Sequence, residues 1–275
     1  KRMAIHPTAV IHRTAIVEEG AKIGEQTRIG PLAYIDQEVE IGPHCTIGPR
    51  VTILRYTRIG SHCEIHNGAV LGDTPQDIAF QNQPSYVHIG NHCIIREFVT
   101  IHRGTKPDTI TEVGNHCFLM VDSHLGHNVK IGNHVILANA AMLGGYVSVG
   151  DRAFISGNAA VHQFVRVGKM AMVSGLGGFS KDIPPFCTAA FRNSIWGLNM
   201  VGLRRAGLTP ADRQDLRDAF KLLFRSEFDR QSALQKIRQE FSNPYVLELV
   251  DFIATSKRGI CRYAVREGRT AEEDV

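Results

Sequence analysis

Apolar residues recur at every sixth position along most of the chain. Between Ile5 and Phe179, 27 of the 30 positions in this phase are apolar. Neither the 3.6-residue period of an α-helix nor the two-residue alternation of a half-buried strand fits this spacing. The period predicts a parallel β-helix with one hexapeptide on each of three faces, so that a coil takes about 18 residues. Each isoleucine or valine buried in such a prism contributes roughly 1.5–3 kcal/mol.

Three in-phase positions are not apolar and indicate where the chain leaves the prism. They are Asp77, Gln83 and Pro107. We predict excursions at 73–88 and 104–112 that insert two hexads and one hexad. Because both insertions are whole hexads, the later coils keep their phase. Loops on a rigid scaffold are common places for binding groups.

Glycine often follows the apolar position, as at Gly24, Gly30 and Gly42. These glycines fall near the corners of the predicted prism. We expect them to provide corners with positive φ, because glycine reaches that region without the steric penalty of a Cβ.

The six-residue period ends after Phe179. Thr209-Pro210-Ala211-Asp212 is typical of a helix start, with a capping threonine, proline at the first position and an acid at the third. We predict helices near 210–226, 230–241 and 244–256, the last opened by Asn243-Pro244. The chain is therefore predicted to be an all-β solenoid over 1–190, followed by a C-terminal α-helical domain over 191–275. The helices would cap the open end of the solenoid.

Composition excludes several classes of protein. The net charge is only +4, and no long basic run or basic segment with interleaved aromatics indicates nucleic-acid binding. No apolar run is long enough to span a membrane, and the first residues do not resemble a signal peptide, so a cytoplasmic location is expected. The six cysteines lack CxxC spacing and are expected to be reduced thiols.

Residues one coil apart fall into columns once the two excursions are subtracted. One column contains five successive histidines, and the neighbouring inward column contains four successive cysteines. The members are His44, His62, His92, His116 and His134, and Cys45, Cys63, Cys93 and Cys117. Adjacent strand residues point to opposite faces, so a His-Cys pair cannot easily chelate one ion. We predict small buried cysteines, a solvated row of histidines, and no metal site or cofactor.

A second pair of columns gathers polar residues and glycines on adjacent coils. The members are His102, Gly126, Gly144 and His162, and Arg103, His127, Gly145 and Gln163. The interior of the prism is filled by side chains, so a substrate must bind outside it. A neighbouring prism would make that surface concave, and a cyclic trimer would have three such clefts. The alternative is that these histidines are only hydrogen-bonded structural residues.

Five motifs, in order, resemble one family over essentially the whole chain. They are GDTPQD at 72–77, IHRGT at 101–105, HLGHN at 124–128, AVHQF at 160–164 and GLRRAG at 202–207. This chain resembles the UDP-N-acetylglucosamine O-acyltransferases that begin lipid A biosynthesis. The resemblance implies a homotrimeric, left-handed parallel β-helix. It also implies transfer of a 3-hydroxyacyl chain from acyl carrier protein to the 3-hydroxyl of UDP-N-acetylglucosamine, without a metal or a covalent acyl-enzyme.

The same resemblance implies roles for individual residues. His127 matches the general base, and the backbone N–H of Gly145 matches the group that holds the oxyanion. The remaining predicted substrate-binding residues are Asp77, His102, Arg103, His124, His162, Gln163 and Arg205. Arginine suits a phosphate because its planar group donates two hydrogen bonds. Basic residues of the C-terminal helices could also meet an acidic carrier protein.

Three departures from the family pattern leave the acceptor open. Ala79 replaces a common lysine, Tyr146 a common histidine, and Asn128 the aspartate that often follows the base. One alternative is a paralogue that acylates the amine of a related nucleotide sugar. Another is a zinc-dependent carbonic anhydrase of the same architecture, which His102 and the HLGHN segment could imitate.

Overall fold

The computed structural model describes residues 4–264 and contains, over that range, thirty strands and four helices. Residues 1–3 of the predicted solenoid and 265–275 of the predicted C-terminal domain lie outside it. The first nine strands are β1 Ala4–Ile5, β2 Val10–Ile11, β3 Ile16–Val17, β4 Lys22–Ile23, β5 Arg28–Ile29, β6 Tyr34–Ile35, β7 Glu40–Ile41, β8 Thr46–Ile47 and β9 Thr52–Ile53. The next nine are β10 Thr57–Ile59, β11 Glu64–Ile65, β12 Val70–Asp73, β13 Tyr86–Ile89, β14 Ile94–Ile95, β15 Thr100–His102, β16 Ile110–Val113, β17 Phe118–Leu119 and β18 His124–Leu125.

The last nine strands of the prism complete the coils. They are β19 Lys130–Ile131, β20 Ile136–Leu137, β21 Met142–Leu143, β22 Ser148–Val149, β23 Phe154–Ile155, β24 Ala160–Val161, β25 Arg166–Val167, β26 Met172–Val173 and β27 Gly178–Phe179. Every third strand pairs in parallel with its neighbours, which gives three sheets. Face A starts with β1, face B with β2 and face C with β3. The predicted three-sided parallel β-helix is confirmed.

The register of the strands confirms the lengths of the two insertions. Ile41 pairs with Ile59, which is the spacing of one uninterrupted coil. Ile59 pairs with Ile89, a step longer than one coil by two hexads, and Ile89 pairs with Val113, a step longer by one hexad. The predicted bounds were partly wrong, because β13 and β16 begin within the ranges assigned to the excursions. These longer strands pair with each other from Tyr86 and Ile110 onward, which leaves loops at 74–85 and 103–109.

The corner glycines do not have the positive φ that was predicted for them. Positive φ occurs two residues after them, at non-glycine positions such as Leu32 (58°) and His44 (58°). A Cβ on Gly24 would lie 2.5 Å from the carbonyl carbon of Gly42 in the next coil. Glycine is therefore needed because adjacent coils approach closely there. The corner position with positive φ accepts residues of several types, whose side chains lie outside the prism.

The interior confirms the predicted columns. From Ile23 onward the in-phase aliphatic residues are buried, and the four cysteines beside the histidine row are free and at most 1% exposed. The row from His44 to His134 is exposed, as predicted, and its rings stack at centroid distances of 4.7–4.8 Å. That spacing is the distance between neighbouring strands.

The C-terminal region closes the upper end of the prism. Strand β28 Cys187–Ala190 continues face B, pairs antiparallel with β29 Ser194–Leu198, and β30 Arg262–Tyr263 adds to β29. The helices are α1 Met200–Arg205, α2 Pro210–Phe224, α3 Arg230–Glu240 and α4 Pro244–Ala254. The predicted helix start is confirmed by a capping box between Thr209 and Asp212, and Asn243 caps α4. Helix α1 and strand β29 were not predicted.

The outward residues of faces A and B differ in polarity. On face A the outward row is polar, for example Lys22, Glu40 and Arg58 on paired strands. On face B the upper five outward residues are apolar and follow each other strand by strand. We name them the face B column; they are Ile94, Phe118, Ile136, Phe154 and Met172. None of the helices within residues 4–264 has the length and apolar character needed to cross a bilayer.

Candidate active site

His127 and Gly145 meet at the corner between faces C and A. They lie one coil apart, and the backbone N–H of Tyr146 donates to the carbonyl of His127 at 2.9 Å. A Cβ on Gly145 would lie 2.5 Å from Nε2 and 3.0 Å from Nδ1 of His127. The imidazole therefore packs directly against the glycine. No other amino acid leaves room for the ring in this position.

The hydrogen bonds of Asn128 fix the protonation of the His127 ring. Nδ1 of His127 lies 3.1 Å from Oδ1 of Asn128, which is buried. The backbone N–H of Thr105 points at the same atom at 3.0 Å. Because a backbone N–H can only donate, that atom is the amide oxygen and not the nitrogen. Nδ1 of His127 must then carry the proton, and Nε2 keeps a free lone pair.

The backbone N–H of Gly145 has no acceptor among residues 4–264. The equivalent N–H groups at the corner between faces A and B are satisfied by the coil above. Asn91 N donates to Oδ1 of Asn115 at 2.8 Å, and Asn115 N donates to Oδ1 of Asn133 at 2.9 Å. The Gly145 N–H therefore remains able to donate to a ligand at this corner, beside the His127 ring.

His102 and His124 form a pair on face C. Their rings meet edge to face at 5.2 Å, and Nδ1 of His124 lies 2.7 Å from the hydroxyl of Thr100. Burial lowers the pKa of His102, with Asp73 on the neighbouring strand acting in the opposite direction. Burial, together with the nearby His102, lowers the pKa of His124 to about 4. Both rings are therefore neutral near pH 7.

Arg103 is held by the first loop. It is 3% exposed, and its guanidinium donates to the carbonyl of Gln83 at 2.9 Å and to Oδ1 of Asn82 at 2.8 Å. Its guanidinium also lies 5.1 Å from the centre of the Phe80 ring. Through these contacts Arg103 fastens the loop 74–85 to the prism. Its assignment to substrate stays a prediction.

The other predicted site residues lie at the edge of this cluster or away from it. His162 and Gln163 are exposed one coil above Gly145. Asp77 lies in the first loop, where its Oδ1 accepts from the backbone N–H of Ala79 at 2.9 Å. Arg205 is exposed at the end of α1, and no contact within residues 4–264 joins it to His127.

An open groove of about 660 Å³ extends from His124 along face C. Its apolar lining includes Met142, Leu176 and Phe191, which are 47%, 86% and 69% exposed. Such exposure of large apolar side chains indicates a surface that is covered by a ligand or another chain. Within the described part of the chain, no group of three or more histidine, cysteine or acidic side chains is arranged to hold a metal ion.

Sequence reasoning did not identify every residue of the site. Thr105 belongs to the IHRGT motif, but its contact with Asn128 depends on the path of the loop 103–109, which has no repeated pattern. The sequence distinguishes Tyr146 and Asn128 only as residues that differ from the common family pattern. The ring of Tyr146 stacks on Phe164 at 4.9 Å and meets His127 edge to face at 5.3 Å. Tyr146 and Phe164 occupy the same corner of successive coils, and this spacing could have indicated their contact.

Comparison with known proteins agrees with this geometry. Residues 182–261 match the family model described as UDP N-acetylglucosamine O-acyltransferase, domain 2, and residues 20–55, 38–73 and 110–145 match the bacterial transferase hexapeptide model. An acyl-[acyl-carrier-protein]–UDP-N-acetylglucosamine O-acyltransferase from Sulfurihydrogenibium sp. is 52% identical over 260 residues, which are 93% of each chain.

Solved structures give the same result. The UDP-N-acetylglucosamine acyltransferase from Campylobacter jejuni is 38% identical, with a TM-score of 0.84 over 94% of this chain and 100% of that one. The acyltransferase from Bacteroides fragilis is 39% identical, with a TM-score of 0.85 over 94% of this chain and 99% of that one. The predicted left-handed β-helix with a C-terminal helical part is thereby confirmed. The chain belongs to the family of UDP-N-acetylglucosamine O-acyltransferases.

Proposed function

We propose that the protein transfers a 3-hydroxyacyl chain from acyl carrier protein to the 3-hydroxyl of UDP-N-acetylglucosamine. The observation that carries this proposal is the free Nε2 of His127, beside the unpaired N–H of Gly145. A general base and an oxyanion donor at one corner are the two groups that acyl transfer from a thioester requires. The activity named for the relatives described above supports the same substrates.

The reaction uses the two groups in sequence. Nε2 of His127 removes the proton of the sugar 3-hydroxyl as that oxygen attacks the thioester carbonyl. The Gly145 N–H donates to the developing oxyanion of the tetrahedral intermediate. When the intermediate collapses, the C–S bond breaks and the imidazolium returns the proton to the thiolate of the carrier. A well-placed base contributes about 10²–10⁴ in rate, and an oxyanion donor roughly 2.7–4 kcal/mol.

The groove on face C suits the hydrocarbon part of the donor. It begins at His124, on the strand that leads to the His127 corner, and its exposed lining is largely apolar. Burying a methylene group contributes about 0.8 kcal/mol. An acyl chain lying along Met142 and Leu176 would therefore be held with its thioester end near His127.

A trimer would complete the cleft. The face B column presents five apolar side chains outward over successive coils, whereas the outward row of face A is polar. We propose that a second copy of this chain covers the face B column with its face C, and that cyclic closure gives three clefts. Asp77, His162, Gln163 and Arg205 keep their proposed roles as contacts to the nucleotide sugar or donor in such a cleft. A cytoplasmic location remains a prediction.

Replacement of His127 by alanine tests the proposal. Activity with 3-hydroxyacyl carrier protein and UDP-N-acetylglucosamine should fall by at least about 10², because no other group takes the hydroxyl proton. Product formation is measured by mass spectrometry, and the fold is checked by circular dichroism. His116→Ala is the matched control, since His116 lies in the exposed row at another corner. Full activity of the His127 variant would exclude it as the base.

The acceptor is tested separately. Purified protein is incubated with the same donor and, in turn, with UDP-N-acetylglucosamine, its 3-amino analogue and a 3-O-acylated glucosamine nucleotide. We expect acylation of UDP-N-acetylglucosamine to be the fastest by kcat/KM. A clear preference for an amine would replace O-acylation by N-acylation and leave the role of His127 unchanged.

A further inference from the structure

A chain of hydrogen bonds extends behind the His127 ring, away from the face that would meet the substrate. The hydroxyl of Thr105 lies 3.1 Å from Oδ1 of Asn128 and 3.0 Å from the hydroxyl of Tyr146. Thr105 is 9% exposed and Asn128 is 7% exposed. These hydrogen bonds therefore connect three coils of the prism in a place largely shielded from water.

The direction of each bond follows from its donors. Oδ1 of Asn128 can only accept, so the single proton of the Thr105 hydroxyl is donated to it. The Tyr146 hydroxyl must then donate to Thr105. Nδ1–H of His127 completes the chain from the other side. The Thr105 hydroxyl and Nδ1–H of His127 thus donate to one amide oxygen, and the Tyr146 hydroxyl donates to Thr105. Reversing any of these bonds would leave two donors or two acceptors facing each other.

We propose that Thr105 and Tyr146 are positioning residues that hold Asn128 with its oxygen on Nδ1 and thereby keep Nε2 of His127 unprotonated. The inference rests on the proposed function, because only a general base requires that tautomer. Without the Thr105 hydroxyl, only the backbone N–H of Thr105 holds the amide of Asn128, so the amide rotates more readily and presents its NH₂ group to the ring. Nδ1 would then be the acceptor, and the proton would move to Nε2, where it blocks proton transfer.

The same contacts explain the course of the second loop. The loop 103–109 leaves face C after β15 and brings the backbone N–H of Thr105 to Asn128. The ring of Tyr146 lies between His127 and Phe164, and these two contacts hold it in the rotamer that brings its hydroxyl to Thr105. Sequence pattern alone marked Tyr146 as a departure from the family, and the geometry gives it this role.

Three variants test the proposal. Thr105→Val removes the hydroxyl at nearly constant shape, Thr105→Ser keeps it, and Tyr146→Phe removes only the terminal oxygen. We expect kcat of Thr105→Val to fall about tenfold with KM little changed, since the hydroxyl hydrogen bonds to Asn128 and from Tyr146 are both lost. Thr105→Ser should return to within about twofold of the original kcat. Tyr146→Phe should lie between them.

The tautomer is measured directly by nuclear magnetic resonance. Two-bond correlations between ring protons and nitrogens in 15N-histidine-labelled protein distinguish Nδ1–H from Nε2–H, and His127→Gln assigns the signal. We expect Nδ1–H in the original protein and a mixture in Thr105→Val. This readout also holds if Thr105→Val fails to fold, because the original protein and Tyr146→Phe still report the tautomer.

Two results would overturn the proposal. One is an Nε2–H tautomer in the original protein at neutral pH. The other is an unchanged kcat and an unchanged His127 tautomer in both folded hydroxyl-free variants. Failure of the proposed function has a different signature, namely full activity of His127→Ala, whatever the tautomer.

Discussion

Two titratable side chains, His102 and His124, are largely buried on face C. His102 and His124 contact each other edge to face, and burial holds both pKa values below that of a free histidine. A charge on either ring would face the other ring in a poorly solvated place. Keeping both rings neutral avoids the cost of burying a charge there and the repulsion between two imidazolium groups.

This burial predicts a dependence of stability on pH. The pKa of His124 is about 4 in the folded chain and about 6.5 when unfolded. Above about pH 6.5 neither state binds the proton, so stability is fully present. As pH falls toward 4, the unfolded state binds a proton that the folded state does not, and the free energy of unfolding falls by at most about 1.4 kcal/mol per pH unit.

Urea denaturation between pH 7 and pH 4 measures this effect. We expect His124→Gln to reduce the slope of the unfolding free energy against pH, while His116→Gln leaves it unchanged because His116 is exposed. His102 acts in the same direction as His124 and keeps part of the slope in the variant. Equal slopes in the original protein and His124→Gln would contradict the assignment.

At the scale of elements, Arg166, paired with the buried carboxylate of Asp182, joins the prism to helix α4. Arg166 on β25 donates from Nε to Oδ2 of Asp182 at 3.0 Å, and Asp182 is 1% exposed. A second guanidinium nitrogen of Arg166 donates to the carbonyl of Phe252 in α4 at 2.7 Å, and the Ser256 hydroxyl donates to Asp182 at 2.8 Å. Helix α4 is therefore fixed to the last coil by charge as well as by packing.

Asp182→Ala should destabilise the protein by about 3 kcal/mol, because it leaves a half-buried guanidinium without its partner. Chemical denaturation gives the free energy of unfolding, and limited proteolysis reports whether α4 is released. Asp251→Ala is the control, since the pair of Asp251 with Arg238 is exposed and should contribute less than about 1 kcal/mol. Similar losses in the two variants would show that the Asp182 pair does not join the two parts.

Elements with a repeated pattern were predictable, and elements without one were not. Residues such as Ile41, Ile59 and Ile89 define their own register, because each hexad places one side chain inward and the next coil repeats it. The capped start of α2 was also encoded locally, in Thr209. By contrast, the contact of Arg103 with Asn82 depends on how a loop folds back over the prism. Long-range contacts of that kind leave no local signal.

At the scale of the whole molecule, the three faces have different chemical character. Face A presents polar residues, face B the face B column, and face C the groove and the histidine pair. The net charge of +4 is too small to keep copies of the chain apart by repulsion. Apolar area on face B is the larger driving force, at roughly 25 cal/mol per Å² removed from water.

Phe118→Asp should prevent trimer formation, because a carboxylate within the face B column would be buried without a partner. Sedimentation velocity measures the mass in solution, and activity should fall with the trimer because each cleft requires two copies. Glu112→Lys on face A is the control for a change of charge on an exposed strand. An original protein that sediments as a monomer, or a trimeric Phe118→Asp, would contradict the proposed assembly.

The whole-hexad lengths of the two insertions restrict how such a chain can diverge. Adding or removing one whole hexad at a corner leaves every later strand in frame, so His127 still meets Gly145. A single-residue deletion between His127 and Gly145 would shift the later hexads out of phase and separate those two groups. Homologues of different length should therefore differ by whole hexads in their prisms, with irregular length changes confined to loop tips and the helical end.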